Sequence, residues 1–178
     1  MREISEVTHV LRELLATDQR RALEFFFVHL RDVCEPSVDG DELLYNASVL
    51  AHYAQLSTAT TDGVPMLPGL SALFDQFVMD ATAHEDAEVM ETAAAQCLVL
   101  AGFFEHQMRR RHAIAWYAQL GAGFFSRAAA RQESAHKARL LRTLAREFEP
   151  WRRRHARLSR ELRDLPYLLR PPAAPGPP

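Results

Sequence analysis

Cysteine and lysine are scarce in this chain of 178 residues. Cys34 and Cys97 are the two cysteines, and their wide separation argues against both a disulfide-stapled scaffold and a zinc site built on close cysteine pairs. Free thiols are typical of a reducing compartment, so a bacterial cytoplasm is the expected location. Lys137 is the single lysine against 20 arginines, a ratio that a GC-rich genome explains as readily as a need for guanidinium chemistry.

Long apolar segments are also lacking. The longest nearly uncharged run covers 12 residues, 93–104, and Gln96 interrupts it, whereas about 20 apolar residues are needed to cross a bilayer. Residues 1–6, MREISE, do not begin an apolar stretch of the kind found in secretory signals. We therefore expect no membrane insertion.

Sequence signatures of catalysis and of cofactor binding are missing as well. The chain contains no Gly-rich phosphate loop, no G-x-S-x-G elbow, no H-E-x-x-H and no paired C-x-x-C. Cys97 lies in an apolar helical run, where burial raises the pKa of a thiol and makes it a poor nucleophile. The sequence therefore predicts no catalytic residue, no metal site and no cofactor, and it favours a protein that is not an enzyme.

The charges that are present divide unevenly along the chain. Residues 1–104 contain 5 arginines and 17 acidic residues, a formal charge of −12, whereas residues 105–178 contain 16 basic and 6 acidic residues, a formal charge of +10. Such a separation is typical of a basic surface that meets a polyanion, or of two halves that neutralise each other within one bundle or across a homo-oligomer. Neutralisation is favoured because the acidic half supplies the counter-charges in the same molecule.

The spacing of apolar residues predicts an all-α protein. They recur at intervals of three and four, and runs that alternate with period two are absent. We predict a single-domain bundle of six or seven helices over residues 1–168, followed by a flexible Pro/Ala/Gly tail at residues 169–178. The predicted helices cover about residues 3–16, 18–33, 39–57, 68–77, 83–109, a stretch from 111 that Pro150 ends, and 151–165.

Capping residues and glycines refine this prediction. Asp39 with Glu42, and Thr82 with Glu85, have the spacing of capping boxes and predict two helix starts. Gly121 and Gly123 lie inside a predicted helix, where each costs about 1 kcal/mol relative to alanine. Their presence predicts a close approach of another helix.

Aromatic and glycine residues in the centre of the chain form a further pattern. Gly102-Phe103-Phe104, followed by Trp116-Tyr117, Leu120-Gly121 and Phe124-Phe125, resembles a pattern in a group of uncharacterised bacterial helical proteins. In that group a G-F-F segment precedes an aromatic pair and a glycine one helical turn later. The match covers residues 93–128 and consists of packing residues. The resemblance implies an all-helical fold with a tight helix crossing, and it brings no function and no catalytic residue.

Two arginine clusters are the candidate binding residues. They are Arg109, Arg110 and Arg111 at a predicted helix junction, and Arg152, Arg153 and Arg154 in the last predicted helix. We predict that they contact a protein partner, including a second copy of this chain, and that the protein is an adaptor or regulatory module. Contact with nucleic acid is the alternative, but no helix-turn-helix motif is visible and the pI of about 6.4 is low for a nucleic-acid-binding domain.

Polar residues on an apolar helix form a second candidate site. Asn46 and His52 interrupt the apolar face predicted for residues 39–57, and a buried polar group needs a hydrogen-bond partner. That partner is expected to be structural, a backbone carbonyl or a tyrosine such as Tyr117. The alternative is a small-molecule pocket lined by Asn46, His52, Trp116 and Tyr117.

Metal binding rests on weaker patterns. Glu6 with His9, and Glu133 with His136, have the E-x-x-H spacing of di-iron carboxylate proteins, but roughly 0.6 such pairs are expected by chance, so two are unremarkable. A third set, His84, Glu88 and Glu91, shares a predicted helix face. Acidic residues in a first helical turn are also favoured by the helix dipole, so solvated carboxylates are the expected outcome.

Overall fold

The computed structural model describes residues 20–58, 86–108 and 114–162. Contacts divide the chain into two compact units, residues 1–61 and 62–178. Within the described ranges the regular structure is helical, which confirms the predicted all-α fold, and no helix there is long and apolar enough to span a membrane. The predicted helices at 3–16 and 68–77 and the predicted tail at 169–178 lie outside the described residues.

The first unit contains two described helices, α1 at residues 20–33 and α2 at Gly40–Thr58. The start of α2 agrees with the predicted cap, because Asp39 Oδ1 accepts a hydrogen bond from the Asp41 N–H at 2.8 Å. Both helices bury one apolar face with the three-four spacing that the sequence shows. The buried apolar residues of this unit are Phe26, Leu30, Val33, Leu43, Ala47, Leu50, Ala51 and Tyr53.

The described part of the second unit contains α3 (Ala87–Leu98), a π-helix (Val99–Phe103), α4 (Glu105–Met108), α5 (Ile114–Arg131), α6 (Ala135–Arg146) and α7 (Phe148–Glu161). The N-cap of α3 is Asp86, whose side chain accepts from the N–H groups of Glu88 and Val89. The predicted start of this helix at Ala83 was therefore four residues too early, because Asp86 is the N-cap, and the predicted capping residues Thr82 and Glu85 lie outside the described residues. Helix α6 begins in the same way, with Ser134 accepting from the Lys137 N–H.

The core of the second unit forms where these helices pack on one another. Helix α5 packs against α3 on one side and α6 on the other, and α7 packs against the π-helix. Their inward faces bury large side chains almost completely, and this burial is the main stabilising term. The largest are Met90, Leu98, Phe125, Leu141, Leu144, Trp151 and Leu158.

Gly121 lies at a closely packed point of this core. A Cβ atom placed there would lie 2.5 Å from Cζ of Phe148 and 2.8 Å from Cβ of Cys97, so α3, α5 and α7 meet at this glycine. The predicted close packing at Gly121 is confirmed. The same prediction for Gly123 was wrong, because Gly123 is exposed and no described residue comes within 4 Å of a Cβ placed there.

Pro150 does not end a helix. The break lies at Glu147, and Pro150 is the third residue of α7, which begins at Phe148. The N–H groups of a first helical turn have no acceptor within the helix, so a proline there costs no hydrogen bond. The predicted helix start at Trp151 was therefore three residues too late.

Candidate partner-binding surface

Arg152 was predicted to contact a partner, but its side chain points into the second unit and the residue is only 9% exposed. Its guanidinium donates two hydrogen bonds to the carboxylate of Glu149, Nε to Oε2 at 2.8 Å and Nη2 to Oε1 at 2.7 Å. Nη1 donates to Glu105 Oε1 at 3.0 Å and to the carbonyl oxygen of Ala101 at 3.2 Å. These contacts occupy the guanidinium and fasten α7 to α4 and to the π-helix.

The same contacts change the acid–base properties of the pair. The hydrogen bond from Arg152 holds the pKa of Glu149 below its usual value, although partial burial acts in the opposite direction. The hydrogen bond from Glu149 in turn raises the pKa of Arg152, with a further contribution from Glu105. Both shifts favour the charged forms, so the pair is an ion pair at neutral pH.

The π-helix, a local irregularity in the backbone, positions the Ala101 carbonyl for its contact with Arg152. In the π-helix the Phe104 N–H donates to the carbonyl oxygen of Val99, five residues earlier, at 3.0 Å. Gly102 faces α7 there, and a Cβ on it would lie 3.0 Å from the carbonyl oxygen of Arg152. Glycine thus permits the close approach that brings the Ala101 carbonyl within reach of the Arg152 guanidinium.

The two neighbours of Arg152 are also engaged within α7. Arg153 is exposed, and its Nε donates to Glu149 Oε1 at 3.1 Å. The guanidinium carbon of Arg154 lies 4.7 Å from the ring centre of Trp151, a cation–π distance. The other predicted cluster, Arg109, Arg110 and Arg111, lies outside the described residues.

Helix α6 presents a row of exposed arginines that are not adjacent in the sequence. Arg139, Arg142 and Arg146 follow one another at spacings of three and four, so they share one face and extend over about 10 Å of helix. We call these three residues the arginine stripe. The opposite face of α6 is apolar and buried, so the stripe faces solvent. The buried residues of that face are Ala138, Leu141 and Leu144.

The stripe differs from the exposed arginines of α7 in its partners. Arg146 contacts Glu147 at 3.2 Å, whereas Arg139 and Arg142 form no ion pair with any residue that the structure describes. On α7, by contrast, Arg157 pairs with Glu161 at 3.2 Å. Helices α6 and α7 together, residues 135–162, contain nine basic and three acidic residues, a formal charge of +6.

The described ion pairs of the basic half are mostly local. Arg160 contacts Glu105 at 3.7 Å. Glu105 and Glu149, which both belong to residues 105–178, therefore form ion pairs with arginines of α7. An ion pair joins the basic and the acidic half within the second unit, Lys137 Nζ to Glu91 Oε2 at 2.8 Å.

The residues of the predicted small-molecule pocket fall into different units. In the first unit, Asn46 is buried and its Nδ2 donates to the Glu42 carbonyl oxygen at 2.9 Å, the structural partner that was expected. His52 is exposed, so the expectation that it interrupts a buried face was wrong. In the second unit, Trp116 is 45% exposed and packs edge-on against buried Tyr117, with ring centres 4.9 Å apart.

Carboxylates that were considered as metal ligands have other surroundings. Glu91 is held by the ammonium group of Lys137, and Glu88, Glu133 and His136 are exposed. Glu6, His9 and His84 lie outside the described residues. Among the described residues, no cluster of three or more His, Cys, Asp or Glu side chains could hold a metal ion. An open cleft of about 480 Å³ borders this region and mixes both signs of charge; its lining residues are Asp86, Ala87, Glu88, Glu91, Arg131, Gln132, Glu133 and Lys137.

Two titratable groups lie inside the second unit. Burial raises the pKa of Cys97 to about 12, in agreement with its expected lack of reactivity. Burial also lowers the pKa of His155 to about 3, because the charged imidazolium is disfavoured away from water. His155 is fully enclosed beside Trp151, and its Cβ would lie 2.8 Å from a Cβ placed on Gly102.

The sequence contained a signal for the buried positions of α7. Phe148, Trp151, His155, Leu158 and Leu162 follow helical spacing and form an inward face, which includes Arg152. Reading residues 152–154 as one basic cluster hid this periodicity. The arginine stripe of α6 was hidden for the opposite reason, since its arginines are never adjacent in sequence.

Comparison of the chain with protein-family models finds no family that matches it. Comparison with curated proteins likewise finds no matching relative. Comparison with solved structures finds no match either.

Proposed function

We propose that this chain is a non-enzymatic helical protein-binding module, adaptor or regulator of the cytoplasm, and that the arginine stripe of α6 is its contact surface for an acidic protein. The observation that carries the proposal is the pair Arg139 and Arg142, two exposed guanidinium groups on one helix face that no described carboxylate neutralises. Guanidinium groups bind carboxylates in a planar, two-pronged geometry, which makes arginine well suited to protein interfaces.

An acidic protein fits this surface better than a nucleic acid does. Glu147 lies beside the stripe at Arg146, and Glu149 and Glu161 are interspersed among the arginines of α7. A phosphate backbone would approach these carboxylates as closely as the arginines, at an electrostatic cost. Acidic side chains of a protein can be placed singly opposite each arginine, so they avoid that repulsion.

The experiment measures binding of the full chain to fluorescent poly-L-glutamate and to a short DNA duplex over a range of salt concentrations. The test variant is R139E/R142E on α6, and the matched control is R153E/R157E on α7, which changes the net charge by the same amount. We expect the parent to bind poly-L-glutamate at low salt, and R139E/R142E to weaken that binding by about tenfold more than the control does.

The outcomes separate the possible functions. Equal losses in the two variants would mean that overall charge, and not the stripe, is responsible, and would overturn the proposal. Failure of the parent to bind poly-L-glutamate at low salt would also overturn it. Tighter binding to the duplex than to poly-L-glutamate, with a steep salt dependence that R139E/R142E removes, would replace it with a nucleic-acid-associated regulator.

A further inference from the structure

The three arginines of the stripe are placed at regular intervals along α6. With a rise of about 1.5 Å per helical residue, Arg142 lies about 4.5 Å beyond Arg139 along the helix axis, and Arg146 lies about 6 Å beyond Arg142. All three side chains are exposed. The stripe is therefore a row of positive charges whose repeat is that of an α-helix.

The first two arginines of the row are more available to a partner than the third. Arg146 Nε already donates to Glu147 Oε1 at 3.2 Å. Arg139 and Arg142, by contrast, form no ion pair within the part of the chain that the structure describes. A partner therefore gains most from carboxylates opposite Arg139 and Arg142, since a carboxylate opposite Arg146 would also approach Glu147.

Thr143 lies on the same face of α6, between Arg139 and Arg146. Its hydroxyl donates to the carbonyl oxygen of Arg139 at 3.1 Å, so this polar group is satisfied within α6. The side chain is small and half-buried. It therefore leaves room for the backbone of a partner helix to approach α6 between the arginines, at the 8–10 Å that is usual between the axes of packed helices.

The spacing of the stripe fits a helix better than an extended segment. Side chains on one face of a helix recur every three or four residues, at about 4.5 and 6 Å, which are the intervals of the stripe itself. Side chains on one face of an extended strand recur at about 7 Å, so successive carboxylates move out of register with the arginines. A folded helix also holds its carboxylates in place before contact, which reduces the entropy lost on binding.

We propose that the partner of the stripe is an acidic helix that lies along α6, with two carboxylates three or four residues apart opposite Arg139 and Arg142. This inference rests on the proposed function and names the form that its acidic protein takes at the contact. Each carboxylate accepts hydrogen bonds from one guanidinium group. Because both helices are rigid, the two ion pairs form together, and this selects an acidic helix over a flexible acidic chain.

Three fluorescent peptides of about 20 residues, rich in alanine and glutamine and equal in charge, test the inference with the full chain. The first peptide is a helix with two glutamates four residues apart, on one face. The second has the glutamates two residues apart, on different faces. The third keeps the spacing of the first but has a proline between the glutamates, which breaks the helix. Circular dichroism verifies the helicity of the first two peptides and its loss in the third.

Titrations at low salt use the parent, R139E/R142E on the stripe and the control R153E/R157E on α7, each checked for folding by circular dichroism. The parent is expected to bind the first peptide at least about fivefold more tightly than the second or the third, the factor that one well-placed exposed ion pair provides. This preference should vanish in R139E/R142E and persist in the control. It compares peptides of equal charge on one protein, so a change in overall charge does not produce it.

The remaining results contradict the inference in distinct ways. Equal binding of the first and second peptides by the parent overturns it, as does a preference that persists in R139E/R142E. Equal binding of the first and third peptides also overturns it and identifies an extended acidic segment as the partner. A parent that binds poly-L-glutamate through the stripe, but none of the peptides up to millimolar concentration, overturns the inference and leaves the proposed function standing. Failure to bind poly-L-glutamate removes both.

Discussion

Arg152 and Glu105 are 47 residues apart in sequence, and Arg152 Nη1 donates to Glu105 Oε1 at 3.0 Å in the interior of the second unit. Both side chains are largely withdrawn from solvent, with exposures of 10% and 12%. The attraction within such a buried ion pair offsets the cost of removing the two charges from water only when further hydrogen bonds satisfy both groups. Glu149 and the Ala101 carbonyl provide these bonds, so the four groups stabilise the junction of α7, α4 and the π-helix as a unit.

Replacement of Arg152 by methionine should therefore be strongly destabilising. The variant keeps much of the side-chain volume and leaves the carboxylate of Glu105 largely buried without its main partner. Removing one member of a buried pair typically costs about 3–5 kcal/mol. Urea denaturation should show a decrease in the free energy of unfolding in this range for Arg152→Met. For the control Arg153→Met, whose partner Glu149 is half-exposed, the decrease should be less than about 1 kcal/mol. Similar losses in the two variants would contradict the structural role of Arg152.

The glycines of the second unit should respond to alanine with opposite signs. At Gly102 the added methyl group meets the Arg152 carbonyl oxygen and the His155 Cβ, and neither atom can move alone. Gly102→Ala should therefore lower the free energy of unfolding by about 1–3 kcal/mol. Gly121→Ala meets the Phe148 ring and Cys97 and should be destabilising in the same range. Gly123→Ala should gain about 0.5–1 kcal/mol, because an exposed helical glycine is replaced by a better helix former. Thermal melts of the three variants check this prediction. If Gly123→Ala gave the lowest melting temperature of the three, the register of α5 would be wrong.

The sequence was sufficient for the fold class and for most helix faces, because apolar spacing alone indicates which side of each helix is buried. It was not sufficient for the π-helix, since nothing in the run Val99 to Phe103 marks a change in hydrogen-bond register. Pro150 does not mark the helix end in the sequence, because proline breaks a helix interior but is tolerated in a first turn. Gly121 and Gly123 look alike in sequence, and only the contacts around each one separate close packing from open surface.

The candidate site was harder to predict than the fold for a similar reason. A run of adjacent arginines suggests a surface cluster, yet successive helical residues point in different directions. In residues 152–154, Arg152 points inward, Arg153 outward to Glu149, and Arg154 over the Trp151 ring. Only a shared face, as in the stripe of α6, gathers guanidinium groups into one surface.

Cys97 should be almost unreactive toward thiol reagents in the folded protein. With a pKa of about 12 the thiolate fraction at pH 8 is about one in ten thousand, and full burial further prevents access. In a Cys34→Ser variant, where Cys97 is the remaining thiol, labelling by an aromatic disulfide should proceed only as fast as the protein opens. The urea-unfolded variant serves as the control and should react about a thousandfold faster or more. Rapid labelling of the native variant would place Cys97 outside the core.

Acidification should destabilise the second unit through His155. The pKa of its imidazole is lowered to about 3 in the folded protein, against about 6.5 in an unfolded chain. Between these pH values the unfolded state binds a proton that the folded state does not. The contribution of neutral His155 to the free energy of unfolding is therefore complete above pH 6.5 and is lost as the pH falls toward 3. The free energy of unfolding should decrease by about 1.4 kcal/mol for each pH unit below 6.5.

The window between pH 6.5 and 4.5 isolates this effect. Glu149, whose pKa is lowered by Arg152, contributes stability that is lost only as the pH falls below the usual range of a glutamate, so it adds to the loss at more acidic values. Urea denaturation of His155→Leu over this window should give a much flatter pH profile than the parent, whatever its stability at pH 7. A parent profile that is flat between pH 6.5 and 4.5 would mean that His155 is protonated in the folded protein, and its enclosure beside Trp151 and Gly102 would then be wrong.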